Sequence, residues 1–265
     1  MVLDVEEYRK KILNCILNEI KERPEVLAAW EGGSTANGTK DQFSDIDLCI
    51  LAKAPIQLII ETVENSLQKF QVSHTWQTSK SFWGEGIVQR VIVLKDSPKF
   101  FSVDVAVFDQ AYPQLLKDFL EVERHGSANI LLDKFDMIKV GHTDASALFE
   151  RQKIRVSELS QGFPIFKNLV LKEIERGNAI DALGFYQNGL VRPLIEVLGM
   201  IHRPFQYDFG MRYIRRSFPV EDQMLIEDLN YVSDFKELPL RINKTERAFM
   251  KAVERVKNKT ALVEK

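Results

Sequence analysis

The first half of the chain consists mainly of short apolar runs, together with two segments that have helical periodicity. Apolar residues recur every four positions over Val5–Lys21, which predicts an amphipathic helix. A second helix is predicted over Pro55–Phe70, which opens with a proline. The short or alternating apolar runs predict strands. These runs are Val26–Trp30, Phe43–Leu51, Gln71–Lys80, Gln89–Leu94 and Phe100–Phe108.

After Ala111 the apolar periodicity becomes helical, and a polar stretch near residues 125–145 precedes most of these segments. A run of strands followed by a run of helices predicts an α+β fold, with a mixed sheet and helices in a first domain and an all-helical second domain. We place the domains at residues 1–135 and 136–265. The predicted helices are Leu115–Val122, Leu148–Leu159, Phe166–Glu175, Ala179–Leu198, Met211–Ser217, Asp222–Val232 and Thr245–Val256.

Composition narrows the class of protein. The chain has 265 residues, is 45% hydrophobic and has a net charge of −2, which excludes a disordered chain and argues against a dedicated nucleic-acid binder. No apolar run approaches the ~18 residues of a membrane span. The acidic N-terminus does not resemble a signal peptide, and two cysteines form no disulfide framework. We therefore expect a cytoplasmic protein with no membrane partner.

Two carboxylates are the first candidate chemistry. Asp45 and Asp47 alternate with apolar residues on a predicted strand, so they project from one face with Cα atoms about 6–7 Å apart. Neighbouring carboxylates repel each other unless a cation lies between them. Mg²⁺ suits such a pair because it takes a few carboxylate oxygens and completes its shell with water and phosphate.

A glycine-rich turn, Gly32–Gly38, precedes this strand. Such a turn between a strand and a short helix lets backbone N–H groups and a helix N-terminus approach a phosphate. The segment Gly33–Lys40 resembles a P-loop with its last two residues exchanged, but only four residues separate Lys40 from Asp45. No full helix fits there, so a P-loop is excluded.

Asp104 is the third candidate carboxylate, inside the apolar strand Phe100–Phe108. A charge in such a strand is costly unless it is paired or binds a metal, and with Asp45 and Asp47 it would complete a two-metal site. The alternatives are an exposed Asp-x-Asp at a strand end, an ordinary turn, and an edge-strand charge that prevents aggregation.

These residues resemble the polymerase-β-type nucleotidyltransferase superfamily, whose pattern is Gly-Ser, a short helix, Asp-x-Asp and a later third Asp. The resemblance covers residues 26–108 and is closest to the bacterial antibiotic nucleotidyltransferases that modify aminoglycosides and lincosamides. It implies that Gly33 and Ser34 contact the nucleotide phosphates, and that Asp45, Asp47 and Asp104 are the metal and catalytic carboxylates. Two Mg²⁺ ions and ATP or another NTP are the implied cofactor and co-substrate.

The expected reaction transfers a nucleoside monophosphate, with AMP from ATP the leading case, to a hydroxyl of a small molecule and releases pyrophosphate. The acceptor would lie in the cleft between the domains. Transfer to RNA or protein, and a non-catalytic nucleotide-binding regulator, remain alternatives. The acceptor and the oligomeric state stay open.

The general base is also open. Some related aminoglycoside enzymes place a glutamate on the strand before the third Asp or in the helical domain, but Gln89–Leu94 has no carboxylate. Asp104, Glu85 and Glu173 are the candidates.

Two further groups of residues have a possible role in binding. Arg212, Arg215 and Arg216 are spaced for one helix face, which favours either an anion clamp or a solvated basic face. For Trp76 and Trp83 the sequence favours core positions over a place in the cleft.

Overall fold

The computed structural model describes residues 4–79, 82 and 84–263. It divides into two compact units, Met1–Thr143 and Asp144–Lys265. The first contains the sheet and the second is helical, which confirms the predicted α+β class with a helical C-terminal region.

The first unit is built on a six-stranded sheet of β1 to β6, with helix α1 before the first strand and helices α2 to α5 between the strands. The strands are Val26–Glu31, Ile46–Ala52, Val72–Gln77, Ile87–Leu94, Val103–Asp109 and Asn129–Asp133. The helices are Val5–Ile20, Gly33–Ala36, Ile56–Leu67, Pro113–Phe119 and Val122–His125.

The sheet is mixed, with the strand order β3-β4-β5-β2-β1-β6. The two central strands, β2 and β5, run parallel, and the other neighbouring pairs are antiparallel. A parallel pair requires a crossover connection, which here includes α3 and the β3–β4 hairpin.

The two faces of the sheet are covered differently. Alternate valines of β5 and isoleucines of β2 pack under α1 and α3 as the main core of the unit. On the opposite face, Trp30, Leu51 and Phe108 form a second core with Leu120 and Ile138. This second core covers only part of its face, because residues 47, 89 and 104 of the same face are polar and half-buried.

The last strand, β6, was not predicted, because its apolar run, Ile130–Leu132, is only three residues long and lies within the stretch assigned to the domain boundary. It pairs with β1, and the Asp133 carboxylate then accepts hydrogen bonds from the amides of Met137 and Ile138. The amide of Val122 bonds to the Gly141 carbonyl, so the chain stays attached to the first unit up to Thr143. This is why the compact unit extends eight residues beyond residue 135, where the sequence analysis placed the boundary.

The helical unit contains α6 to α11, which pack around one apolar core. Helix α6 is continuous through Pro164 and joins two segments that the sequence analysis kept apart. The predicted helix Ala179–Leu198 consists of α7, a π-turn over Gln187–Val191, and α8. The helices are Ala145–Glu175 (α6), Ala179–Tyr186 (α7), Arg192–His202 (α8), Ile214–Ser217 (α9) and Val220–Asn230 (α10). A final helix, α11, spans Leu238–Val263.

Two predictions for large side chains need comment. Trp76 lies on the edge strand β3 and is 62% exposed, so its predicted core position is wrong. Trp83 lies outside the described residues. Over the described ranges, no helix combines the length and apolar character needed to cross a bilayer.

Gly126 provides a test of how the first unit is packed. Its backbone has φ 80° and ψ −178°, a region that only glycine adopts readily. A Cβ there would lie 2.5 Å from the Ala36 carbonyl oxygen at the end of α2. We expect Gly126→Ala to lower the free energy of unfolding by about 2 kcal/mol or more, measured by urea denaturation.

Gly38→Ala is the matched control. Gly38 also has a positive φ, of 64°, but a Cβ there would meet no described atom within 4 Å. Its cost should be only about 1 kcal/mol, from the backbone alone. Equal costs at the two positions would contradict the packing inferred for Gly126.

Candidate active site

Asp47 and Asp104 face each other on the two central strands. They are directly paired in the parallel register of β2 and β5, and neighbouring strands lie about 4.8 Å apart. Ile46, Leu48 and Val105 point to the opposite face and are fully buried, as the alternation predicts. Because β5 lies between β4 and β2, Asp104 is not an edge-strand charge.

The glycine-rich turn makes room for Asp47. Gly33 has φ +54°, and a Cβ on it would lie 1.8 Å from Asp47 Oδ2, so the carboxylate occupies the space of a side chain at position 33. The Ser34 amide donates to the Asp47 carboxylate, and the Gly32 amide donates to the Asp47 carbonyl at 2.9 Å. The predicted short helix is the single turn α2, which is too short to build a substantial helix dipole.

The Ser34 hydroxyl in this turn is buried at a cost in free energy. Its oxygen is buried and has no hydrogen-bond partner among the described residues. A buried hydroxyl without a partner costs about 1–3 kcal/mol, so this atom is suited to bind a group that arrives with a ligand.

Burial and charge repulsion both shift the pKa of Asp47. Burial, the charge of Asp104 and the charge of Asp45 raise the pKa of Asp47 to about 6, while Arg9 and the Ser34 amide act in the opposite direction. The protein therefore holds two carboxylates close together at an electrostatic cost, an arrangement that a divalent cation would relieve.

Asp45 has a hydrogen-bond partner outside this pair. It lies just before β2, and its Oδ1 accepts a hydrogen bond from the Ser102 amide at 3.0 Å. Within the described part of the chain, no three His, Cys, Asp or Glu side chains are grouped closely enough to hold a metal ion. The structure thus brings together two of the three predicted carboxylates, and Asp45 ties β2 to the segment before β5.

Gln89 positions Asp104 from the neighbouring strand. Its side-chain amide lies 2.9 Å from both Asp104 carboxylate oxygens. Gln89 is on β4, the strand on which the sequence analysis looked for a glutamate. The amide nitrogen can only donate, so it holds the Asp104 carboxylate as a hydrogen-bond acceptor.

Arg9 connects the glycine-rich turn to the start of β2, and the sequence analysis did not predict this role. It lies on the buried face of α1, is 4% exposed, and forms an ion pair with buried Glu31 at the end of β1. Its guanidinium also donates to Thr35 Oγ1 at 2.9 Å and to the Asp45 carbonyl. Glu31 accepts a further hydrogen bond from Asn129 at 3.0 Å. One cation therefore fixes the glycine-rich turn and the start of β2.

One comparison with known protein families bears on the part of the chain that holds these residues. Residues 13–124 match the profile of the nucleotidyltransferase domain family, a range that includes the glycine-rich turn and all three aspartates. The N-terminal part of the chain, residues 13–124, carries a nucleotidyltransferase domain. This confirms the predicted superfamily and enzyme class. No curated protein matches the chain significantly.

Several solved structures resemble the chain weakly. An aminoglycoside 6-adenyltransferase from Bacillus subtilis is 11% identical with a TM-score of 0.39, over 96% of this chain and 91% of that one. A nucleotidyltransferase-like protein from Exiguobacterium sibiricum is 13% identical with a TM-score of 0.38, over 93% and 77%. A spectinomycin adenyltransferase from Enterococcus faecialis is 8% identical with a TM-score of 0.32, over 94% and 99%.

The alternative base candidates have other partners. Glu85 accepts a hydrogen bond from the Tyr112 hydroxyl at 3.2 Å, before the start of β4. Buried Glu173 accepts hydrogen bonds from Arg176 and Asn178 at the end of α6, which explains its position without a catalytic role. Neither contact connects these glutamates to the aspartate pair of the nucleotidyltransferase domain.

The predicted arginine face does not form. Helix α9 begins at Ile214, so Arg212 precedes it and donates instead to the Tyr213 hydroxyl at 2.9 Å. Arg215 forms an ion pair with Glu227 at 2.5 Å. The periodicity failed here because Tyr213 adopts a left-handed backbone conformation that interrupts the helix.

Asp47→Asn should stabilise the protein at neutral pH in the presence of EDTA. Asp47 has a folded pKa of about 6 against an ordinary value of 3.8, so the folded state keeps a proton that the unfolded state has released. The contribution of this group to stability therefore falls as pH rises from about 4 to about 6, and stays low above that window.

Asparagine carries no charge, so the variant should gain about 1–3 kcal/mol near pH 7 and much less near pH 4.5, measured by urea denaturation. A difference between the two proteins that is the same at both pH values would count against this pKa.

Arg9→Met should destabilise the fold by about 3–5 kcal/mol, because it leaves the Glu31 carboxylate buried without its cation. Arg9→Met combined with Glu31→Met removes both charges and should recover much of that loss in thermal or urea denaturation. Nucleotide turnover should stay low in the double variant, because Thr35 and the Asp45 carbonyl still lack their donor. Recovery of both stability and activity would show that Arg9 has no part in positioning the site.

Proposed function

We propose that the protein transfers a nucleoside monophosphate, with AMP from ATP the leading case, to a hydroxyl of a small molecule and releases pyrophosphate. The observation that carries the proposal is the pair of Asp47 and Asp104, in direct register beneath a glycine-rich turn that is shaped around one of them. The raised pKa of Asp47 adds to it, because the pair is costly without a cation.

The residues of the pair suit a divalent cation such as Mg²⁺. Asp47 and Asp104 would hold it, in keeping with the preference of Mg²⁺ for one or two carboxylates together with phosphate oxygens. When bound, the ion neutralises charge on the transferring phosphate and on the leaving pyrophosphate. We propose the first ion at this pair. A second ion would need Asp45, whose Oδ1 accepts the Ser102 amide.

The glycine-rich turn is the proposed place for the β- and γ-phosphates. The Ser34 hydroxyl, buried and without a partner among the described residues, would donate to a phosphate oxygen there. Gly33 would contribute by leaving its side-chain space to Asp47 and keeping the backbone close to the ligand.

In the reaction, the acceptor oxygen forms a bond to the α-phosphorus while the bond from that phosphorus to the bridging oxygen breaks. The pyrophosphate leaves with the bonding electrons, and the acceptor hydroxyl loses its proton. Asp104 is the proposed recipient of that proton, because Gln89 holds its carboxylate as an acceptor beside the reacting group. Catalysis then depends mainly on positioning and charge neutralisation.

The acceptor we propose is a small hydroxyl compound. Aminoglycoside- and lincosamide-like antibiotics lead the candidates, because the spacing of the Gly-Ser and Asp-x-Asp motifs resembles that of enzymes modifying them. The net charge of −2 favours a small molecule over a polynucleotide, since RNA binding relies on cationic side chains.

Pyrophosphate release from ATP and Mg²⁺, with kanamycin A or lincomycin as acceptor, is the test. We expect release that depends on the acceptor and is lowered at least about 10³-fold by Asp104→Asn and by Asp47→Asn, because each removes a carboxylate from the pair. Ser34→Ala should chiefly raise the KM for ATP, by about tenfold, through loss of one phosphate contact.

Asp41→Asn is the control, because Asp41 caps the exposed turn before β2 and its acceptor oxygen survives the substitution. Nucleotide binding without release across both acceptor classes would favour a regulatory nucleotide-binding protein. Transfer to RNA or protein instead would identify a different acceptor class.

A further inference from the structure

The register of the sheet places an exposed tryptophan in line with the two carboxylates. Asp47 pairs with Asp104, Asp104 pairs with Val91, and Val91 pairs with Trp76. Residues directly opposite each other on neighbouring strands point to the same face. These four side chains therefore form one row across β2, β5, β4 and β3.

The part of the row beyond Asp104 is apolar and open. Val91 is half-buried, and Trp76 is 62% exposed at the edge of the sheet. Gln77, the next residue of β3, points to the opposite face and bonds to Arg90 and to Gln57 of α3. Trp76 thus presents a large aromatic ring to solvent on the same face of the sheet as the two carboxylates.

The geometry of the proposed reaction relates this surface to the position of the acceptor hydroxyl. An in-line displacement puts the attacking oxygen and the leaving pyrophosphate on opposite sides of the α-phosphorus. The glycine-rich turn, the proposed place for the pyrophosphate, is on the β1–β2 side of the carboxylate pair. With the pyrophosphate on that side, an attacking hydroxyl on the β5–β4 side, the side of Val91 and Trp76, satisfies the in-line requirement.

We propose that Trp76, with Val91, is the platform on which the acceptor's ring stacks, and that Trp76 selects acceptors with an apolar ring face near the reacting hydroxyl. This inference rests on the proposed function. The span from Asp104 to Trp76 is two strand spacings, about 10 Å between Cα atoms, which suits a molecule of one or two rings. Tryptophan presents a large rigid surface to sugar and other saturated rings at a small entropic cost.

The test compares Trp76→Ala with Trp76→Phe, which keeps a ring, and with Thr75→Ala. Thr75 is an exposed neighbour on the same strand that pairs with Ile92 on the opposite face, so it is the matched control. Kanamycin A and lincomycin are the probes. Their binding is measured by calorimetry with Mg²⁺ and α,β-methylene-ATP present, and their KM is measured by pyrophosphate release.

Trp76→Ala should weaken binding of the probe and raise its KM by about tenfold or more, with KM for ATP and kcat changed less than about twofold. Trp76→Phe should restore most of the affinity, and Thr75→Ala should match the wild type. The inference is overturned if Trp76→Ala leaves the probe's affinity unchanged, if it raises the KM for ATP instead, as stacking on the nucleobase would, or if neither probe binds the wild-type protein.

The two proposals can fail separately. Pyrophosphate release that is unaffected by Trp76→Ala leaves the transferase standing and removes the platform. A probe that binds through Trp76 while no protein releases pyrophosphate leaves the platform standing and removes the proposed reaction.

Discussion

The repulsion between the carboxylates of Asp47 and Asp104 is the constraint on which the N-terminal unit depends. Two strands in parallel register bring these groups together, and apolar residues on the far side of both strands prevent either strand from turning away. Burial of Asp47 together with this repulsion raises its pKa to about 6 and lowers the local stability. The two strands keep this costly arrangement because the surrounding residues leave them no other position. The residues that do this come from distant points of the chain.

Arg9 and Glu31 are the clearest of these parts. Their buried ion pair joins the first helix to the end of β1, and the remaining donors of Arg9 reach the glycine-rich turn and the carbonyl before β2. Asn129, on the edge strand β6, donates a further hydrogen bond to Glu31. A buried ion pair contributes little net stability, so its value here is in defining one arrangement of the turn relative to the strand.

Much of this was predictable from the sequence, and the omissions have physical causes. Alternation along β2 and β5 predicted which face each aspartate takes, because strand periodicity is local. The role of Arg9 depends on contacts with residues more than twenty positions away, and its only local signal is an arginine in register with the apolar stripe of α1. β6 has an apolar run of only three residues, Ile130–Leu132, and is partly exposed, so its pairing with β1 left no alternating pattern in the sequence.

The hydrogen bond that Asp45 accepts from the Ser102 amide was not predictable either, because a shared strand face predicts direction but not hydrogen-bond partners. Trp76 was misplaced for a related reason: a tryptophan in an apolar stretch is usually buried, and only the register of four strands reveals that this one stands at an open edge.

The shared space of Gly33 and Asp47 also constrains how this site can change during evolution. The Asp47 carboxylate fills the volume that a side chain at position 33 would need. Position 33 must therefore remain glycine for as long as position 47 is aspartate. Once a descendant loses that aspartate, the steric restriction on position 33 is removed, leaving only the preference of its backbone for glycine. Joint loss of the two residues would therefore mark lineages in which the domain survives as a scaffold after its chemistry is gone.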